Sequence, residues 1–307
     1  MFTSAQVNWL DKVDPYHIQR QALQKALFVA TVMVFIYWIY LPVNFSSFVA
    51  GIILIALYES PNFVSYQEKD STIFFIVATV IFCSVTFYLL YLYHYIFLLY
   101  FICTLSIVYF LILNYYPKIK NISMLIFAVS TITLTQRPEG VSQIAIDIFS
   151  GLLLSYVTMY ICLKLFPNYY FKIWKKALQK YITCLEIDIQ ALLNNESRLS
   201  LVEEVVHIDI LIAYQRLVPS HYISPSYRLY VGMRNIHFAL NNLSYETSNH
   251  LFWQSVILYL QELRNAINAN VPLNEKNLVL EVHTPLQHHV AHDLNKGFIL
   301  WNRLCAI

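Results

Sequence analysis

Charge is absent between Ser71 and Pro117, a stretch of 47 residues without Asp, Glu, Lys or Arg. A helix of that length extends about 70 Å, whereas the hydrocarbon core of a bilayer measures ~30 Å. We therefore predict two membrane spans joined by a turn. We place the turn at the aromatic cluster Tyr91–Tyr95, because Tyr and Trp collect where a membrane meets water.

The whole chain also contains few charged residues and few glycines, and its cysteines form no motif. Charged residues make up 12% of its 307 residues and hydrophobic residues 58%, against about 25% charged residues in a typical soluble domain. The five glycines form no phosphate-cradling loop, nucleotide fingerprint or nucleophile elbow, which argues against an enzyme and against a cofactor. The five cysteines show no paired spacing, so we expect neither a disulfide framework nor a cysteine metal site. A net charge of +2 gives no sign of nucleic-acid binding.

The remaining apolar runs predict an all-α membrane protein with six transmembrane helices and a following cytoplasmic helical bundle. A polar or interfacial lead-in at residues 1–22 does not resemble a cleavable signal peptide. The transmembrane domain is expected over residues 23–166 and the cytoplasmic helical domain over residues 167–307. The spans are placed at residues 23–41, 43–58, the two halves of 71–117, 122–135 and 144–165, with a polar loop at 65–70.

Basic residues predict the orientation. With the N-terminus inside, the inner segments hold eleven Lys or Arg, whereas the outer loops hold only Arg137. The positive-inside rule then places both termini in the cytoplasm of a multi-pass membrane protein.

The C-terminal part has the pattern of amphipathic helices. Apolar residues in 169–194 recur at spacings of three and four, and those from Val256 to Ile267 follow a heptad-like spacing. Three helix starts are predicted from capping signals: Ser200 with Glu203, Ser224 followed by Pro225, and Thr284 followed by Pro285 and Gln287. A fourth start is placed at Thr247 or Ser248.

The sixth predicted span carries a stripe of small or polar residues. At 100° per residue the stripe covers roughly 80° of the helix; its members are Asp147, Gly151, Ser155, Thr158 and Cys162. One interpretation is a packing seam built on Gly151 and Ser155, with Ser47 and Gly51 as a matching small face on span 2. The other is a path for a solute, and the two interpretations are compatible.

Four residues near the predicted outer side are candidates for contact with such a solute. Asp147 lies about one turn inside the membrane, where an ionisable group is costly and often functional. The alternative interpretation is that Asp147 is an interfacial acid that reaches water or pairs with Arg137. Arg137 could hold a carboxylate or be an ordinary loop residue. Thr131 and Thr135 share one helix face and either line a polar path or bond back to helix carbonyls.

The histidines near the C-terminus are weak metal candidates. His288 and His292 are four residues apart, as two ligands of one zinc ion can be. No Glu follows the first of them, and the neighbouring pair formed by His289 and Asp293 faces another way. We therefore expect no metal site and interpret these histidines as solvated or core residues.

Two segments resemble the fusaric-acid-resistance and aromatic acid exporter family. They are residues 17–27, HIQRQALQKAL, which lead into the first span, and Gly151 to Ser155 with the closing Leu165-Phe166-Pro167. The family typically has a basic residue before span 1, a Gly in span 6 and a terminal Phe-Pro; its Arg and Gly at the start of span 3 are missing here. The resemblance implies a bacterial inner-membrane protein of six spans with a helical domain. Because many members carry the unit twice, it also implies self-association.

The resemblance further implies export of small organic, mainly aromatic, acids driven by the proton gradient. Two alternatives stay open. One is a non-transporting membrane scaffold whose helical domain binds a periplasmic or cytoplasmic protein partner, and the other is an anion channel. An enzyme is the least favoured class, because no catalytic constellation is present in the sequence.

Overall fold

The chain forms two compact helical units, Met1–Asn168 and Tyr169–Ile307. A computed structural model describes residues 13–41, 54–55, 58–59, 65–132, 134, 141–194, 201–241, 250–273 and 280–306. Within these ranges every regular element is a helix and no strand occurs. The prediction of an all-α protein is confirmed for this part of the chain.

The first unit contains five α-helices and one 3-10 helix among the described residues. They are α1 (Ile18–Tyr40), α2 (Tyr66–Leu90), α3 (His94–Tyr115), the 3-10 helix Pro117–Ile122, α4 (Ser123–Ile132) and α5 (Val141–Leu165). Helices α1, α2, α3 and α5 are long and apolar enough to cross a membrane. The described residues therefore support membrane insertion through four candidate spans.

The other two predicted spans do not reach that length among the described residues. Most of the predicted span 2, residues 43–58, lies outside the described ranges, including Ser47 and Gly51. Where span 5 was predicted, the chain first makes a 3-10 helix and then the ten-residue α4. Ten helical residues extend about 15 Å, half of the hydrocarbon core, and Thr135 is not among the described residues.

Helix α2 is the centre of the first unit. It packs against α3, α4 and α5, while α1 packs against α5. Half of the most apolar 18-residue window of α2 is buried, compared with 17% for α1 and for α3. Because α2 is surrounded by other helices, polar groups on it have little access to solvent or lipid and depend on partners inside the unit.

The predicted turn of the uncharged stretch is confirmed, but the start of α2 was placed too late. Helix α2 ends at Leu90 and α3 begins at His94. At the other end, residues 65–70 were predicted as a polar loop, whereas α2 already begins at Tyr66. The reason is an N-cap: the Ser65 hydroxyl accepts a hydrogen bond from the Glu68 backbone N–H at 3.2 Å, the first half of a Ser-x-x-Glu capping box.

Helix α1 also begins earlier than the predicted span. Both carboxylate oxygens of Asp14 accept backbone N–H groups, from Ile18 at 2.9 Å and from Arg20 at 3.0 Å. This side chain satisfies donors that a helix start otherwise leaves open. The extra turn places Gln21 and Lys25 on the buried face of α1, which continues through Val29 and Met33.

The second unit is a helical bundle. Its helices are α6 (Tyr170–Leu193), α7 (Leu201–Gln215), α8 (Ser220–Asn241), α9 (His250–Ala269) and α10 (Pro285–Ala306). Helix α6 packs against α7, α8 and α9, and α8 packs against α10. The predicted apolar faces are buried, with Phe171 as the exception: on α6 Trp174, Leu178, Ile182, Leu185 and Ile189, and on α9 Val256, Leu260, Leu263 and Ile267.

The predicted helix starts of this unit have different outcomes. Helix α8 begins at Ser220, not at Ser224, so Pro225 lies inside the helix. The turn after Pro219, closed by a bond from the Tyr222 N–H to the Pro219 carbonyl at 2.9 Å, starts the helix one turn earlier than predicted. The Thr284 cap is confirmed, since its hydroxyl accepts from the Gln287 N–H at 3.3 Å. Ser200, Thr247 and Ser248 lie outside the described residues.

Candidate functional site

A layer of charged side chains crosses one end of the first unit, where α1 and α2 begin and α5 ends. Lys25 of α1 and Lys69 of α2 are almost completely buried, with exposed fractions of 0% and 1%. Isolated buried ammonium groups are very costly, so both must be compensated by their surroundings. We call the set Lys25, Glu59, Lys69, Asp70 and Lys164 the charged layer.

Lys25 is compensated by a carboxylate and an amide. Its Nζ donates to Glu59 Oε1 at 2.7 Å and to Asn168 Oδ1 at 3.3 Å. The Glu59 side chain is only 4% exposed, so this is a buried ion pair. The Phe166 ring centroid lies 5.8 Å from the same Nζ and adds an aromatic face to the ammonium group.

Lys69 lies over an aromatic ring, within the electrostatic influence of two carboxylates. Its Nζ is 5.0 Å from the centroid of the Tyr58 ring. Glu59 and Asp70 attract its charge and Lys25 repels it, which places the two buried lysines within electrostatic reach of each other. Two cations in a nearly dry interior repel each other strongly unless anions are close by.

Asp70 links the buried part of the layer to its exposed edge. The Tyr58 hydroxyl donates to Asp70 Oδ1 at 3.3 Å, and Lys164 Nζ donates to Oδ2 at 2.9 Å. Lys164 also lies over the ring of Tyr160, 5.1 Å from its centroid. The Asp70 and Lys164 side chains are 31% and 46% exposed, so this pair is partly solvated and contributes less than the Lys25 pair.

A further exposed pair, Lys118 with Glu68, joins the 3-10 helix to α2. Together, the charged layer and this pair hold four lysines and three acids among the described residues, a formal sum of +1. The excess of positive charge makes this end of the unit suited to an anion, and ammonium groups are good partners for a carboxylate. Ionisable side chains within a membrane-type helix bundle commonly mark the route of an ion or a substrate.

The residues predicted as a path on α5 lie in a different part of the same unit. Asp147 is half-buried, while Ser155 and Thr158 are 2% and 6% exposed. Asp147 precedes Lys164 by 17 residues, or about 25 Å along a helix, so Asp147 and the charged layer occupy opposite ends of α5, and Ser155 and Thr158 lie between them. The Ser155 hydroxyl has no hydrogen-bond partner, and Gly151 is buried as a packing seam requires.

Of the residues predicted near the outer side, the structure describes some and not others. The Thr131 hydroxyl donates to the carbonyls of Phe127 at 3.1 Å and Ala128 at 3.0 Å on its own helix, which is the back-bonding alternative. Arg137 and Thr135 lie outside the described residues. His288 and His292 are both exposed, and the described ranges contain no group of three or more His, Cys, Asp or Glu placed to hold a metal ion.

Neither the burial nor the pairing of Lys25, Glu59 and Lys69 was predicted from the sequence. One signal could have revealed their role: Gln21 and Lys25 are four residues apart on an otherwise apolar face. Another is that Glu59 directly follows an apolar run, where an acid needs a partner. Lys25 and Glu59 are 34 residues apart in the sequence. A local sequence pattern therefore could not predict that they pair.

Comparison with known proteins adds no assignment to this geometry. No family model, no curated protein and no solved structure matches the chain.

Proposed function

We propose that this protein is an inner-membrane exporter of small organic acids, in which the charged layer binds the substrate anion. The observation that carries the proposal is the burial of Lys25 and Lys69 inside a unit with four helices long enough to cross a membrane. Buried charges that cost stability are commonly retained for function in membrane proteins.

The chemistry of the layer suits a carboxylate. A substrate carboxylate that enters it can accept hydrogen bonds from an ammonium group and compete with Glu59 or Asp70 for a lysine. The rings of Tyr58, Phe166 and Tyr160 lie within 5.0–5.8 Å of the ammonium groups. They give an apolar and aromatic surrounding for the rest of the acid, which agrees with the aromatic acids that the family resemblance implies.

The remaining features of this proposal come from the sequence. The charged layer with its three lysines faces the cytoplasm, both termini are cytoplasmic, and the unit assembles as a homo-oligomer in the bacterial inner membrane. Protons drive export, with Asp147 at the opposite end of α5 as the group that carries them. Arg137 and the threonines near it meet the substrate at the outer side.

A non-transporting scaffold is the second candidate, and one observation favours it. Lys25, Lys118 and Lys164 each lie within ion-pair distance of a carboxylate, so the layer can also act as a fixed clasp between helix ends. A clasp needs only that the helix ends are held together, whereas the exporter also needs the positive charge of Lys69 for its substrate anion.

The test compares Lys69 with Lys118, an exposed lysine outside the charged layer at the same end of the unit. Full-length protein in proteoliposomes is assayed for uptake of labelled phthalate, terephthalate and succinate, dianions that cross lipid slowly because of their charge. We expect uptake of an aromatic dianion above empty liposomes, a loss of about tenfold or more in Lys69→Gln, and recovery in Lys69→Arg. The matched control Lys118→Gln removes a 38% exposed side chain and should change uptake less than twofold.

No uptake of any of the three acids by the wild type, or equal uptake by Lys69→Gln, would refute the exporter and favour the scaffold. Channel activity is distinguished in the same vesicles, because uptake through a channel follows the membrane potential and does not respond to an imposed pH gradient.

A further inference from the structure

Gln21 carries a buried amide that no described residue satisfies. Its side chain is 4% exposed, and neither Nε2 nor Oε1 has a hydrogen-bond partner. A primary amide offers two donors and an acceptor, and leaving all of them unmet in an apolar interior destabilises the fold. A leucine or methionine would fill the same space without that cost, so the choice of Gln requires another explanation.

The position of Gln21 connects it to the charged layer. It precedes Lys25 by four residues and shares the buried face of α1 with it, so the two side chains are neighbours one turn apart. Lys25 Nζ in turn contacts Glu59 and Asn168. An unpartnered donor group therefore lies directly beside a buried cation, which is the pair of groups that a bound carboxylate requires.

The other unpartnered buried groups of the unit do not share this surrounding. Arg20 Nε, next to Gln21 on α1, lies 3.8 Å from Asp14 Oδ2 in an ion pair. The hydroxyls of Ser84, Tyr88 and Ser155 also have no partner among the described residues, but they lie in the C-terminal half of α2 and the middle of α5, and none is one helical turn from a residue of the charged layer. A hydroxyl has a single donor proton to satisfy, whereas the amide of Gln21 has two. Gln21 is thus the unsatisfied group with the most to gain from a ligand.

We infer that Gln21 is a substrate-binding residue, whose Nε2 donates to the carboxylate of a small organic acid held beside Lys25. This inference rests on the proposed function and adds to it the group that recognises the substrate. The amide Oε1 then accepts from a water molecule of the carboxylate's hydration shell. In the absence of substrate the Gln21 amide has no hydrogen-bond partner among the described residues and lowers the stability of the protein. Binding of the carboxylate provides that partner.

The test uses uptake and thermal stability of the same full-length variants. Gln21→Met keeps the length of the side chain and removes its polar atoms, and Gln21→Leu does so with a different shape. For both we expect a KM for phthalate raised about tenfold or more. Without phthalate the unfolding temperature should be equal to or above that of the wild type, and its rise on adding phthalate should be lost. Ser84→Ala is the matched control: it removes another buried, unpartnered polar group and should leave the KM unchanged.

The possible outcomes separate this inference from the proposed function. If the wild type takes up phthalate and Gln21→Met does so with the same KM, the proposed role of Gln21 is wrong while the exporter stands. That result is expected if the amide only binds a water molecule. A lower unfolding temperature in both variants without phthalate also overturns it, because Gln21 would then support the fold. Absence of uptake in the wild type refutes the exporter, and the role of Gln21 with it.

Discussion

Replacing Lys25 with methionine removes one member of a buried ion pair and leaves the other behind. The Glu59 carboxylate, 4% exposed, loses the ammonium group that lies 2.7 Å from it. Asn168 loses the same donor at 3.3 Å. Methionine follows most of the path of the lysine chain, so little apolar packing is lost and the effect reports the charge.

The expected destabilisation is about 3–5 kcal/mol, the usual cost of removing one member of a buried ion pair. For a unit of 168 residues, 1 kcal/mol corresponds to about 2–4 °C, so the unfolding temperature should fall by roughly 6–20 °C. Removing both charges in Lys25→Met with Glu59→Gln should recover most of this loss, because a buried pair replaced by neutral groups is often neutral or better.

The assay is thermal unfolding of the purified full-length protein in detergent, followed by tryptophan fluorescence, for both single variants and the double variant. Lys118→Met is the control, because its pair with Glu68 is more than one third exposed on the lysine side and should contribute less than about 1 kcal/mol. A Lys25→Met protein that unfolds within about 2 °C of the wild type, or a double variant no more stable than the single one, would refute the reasoning.

Two further predictions concern other acids of the chain. Burial raises the pKa of Glu186, opposed by the nearby Arg264 guanidinium, whose Nε lies 3.3 Å from Glu186 Oε1. The Glu186 carboxyl therefore keeps its proton to a higher pH in the folded state than in the unfolded state. Its contribution to the stability of the fold is fully present below its ordinary pKa of 4.5 and is lost as pH rises through the pKa of the folded state. Glu186→Gln should therefore unfold at a higher temperature than the wild type at pH 7 and at the same temperature near pH 4, and a variant less stable at pH 7 would contradict this. Asp147→Asn keeps the shape of a half-buried side chain and removes its proton exchange, so phthalate transport driven by a pH gradient should be abolished with expression intact; unchanged transport would make Asp147 an interfacial group.

Predictability differed between the helices and their ends. Runs of apolar residues are local in sequence, and the spacing on α9 from Val256 to Ile267 was enough to identify a buried face. Helix starts depend on single side chains, and the sequence analysis recognised Thr284 but overlooked Ser65 and Asp14. The start of α8 was misplaced at Ser224 because a proline inside a helix was assumed to open it.

The candidate site was less predictable than the helices. A stripe on one helix, such as Asp147 to Thr158 on α5, follows from helical periodicity and can therefore be predicted from the sequence. The charged layer joins α1, residue 59, the start of α2 and the end of α5. No period connects these positions, since their proximity follows from how the helices pack.

The sequence by itself determined that this chain is helical, that its first half is apolar enough for a membrane, and where the hairpin of α2 and α3 turns. These properties follow from hydrophobicity and helical period, which act over a few neighbouring residues. Only the tertiary structure decided that Lys25 and Lys69 are buried, that Glu59 neutralises Lys25, and that Gln21 beside Lys25 has no partner among the described residues. Burial and pairing depend on side chains brought together from distant parts of the chain, and a lysine at a helix end has the same local pattern whether it faces water or a carboxylate.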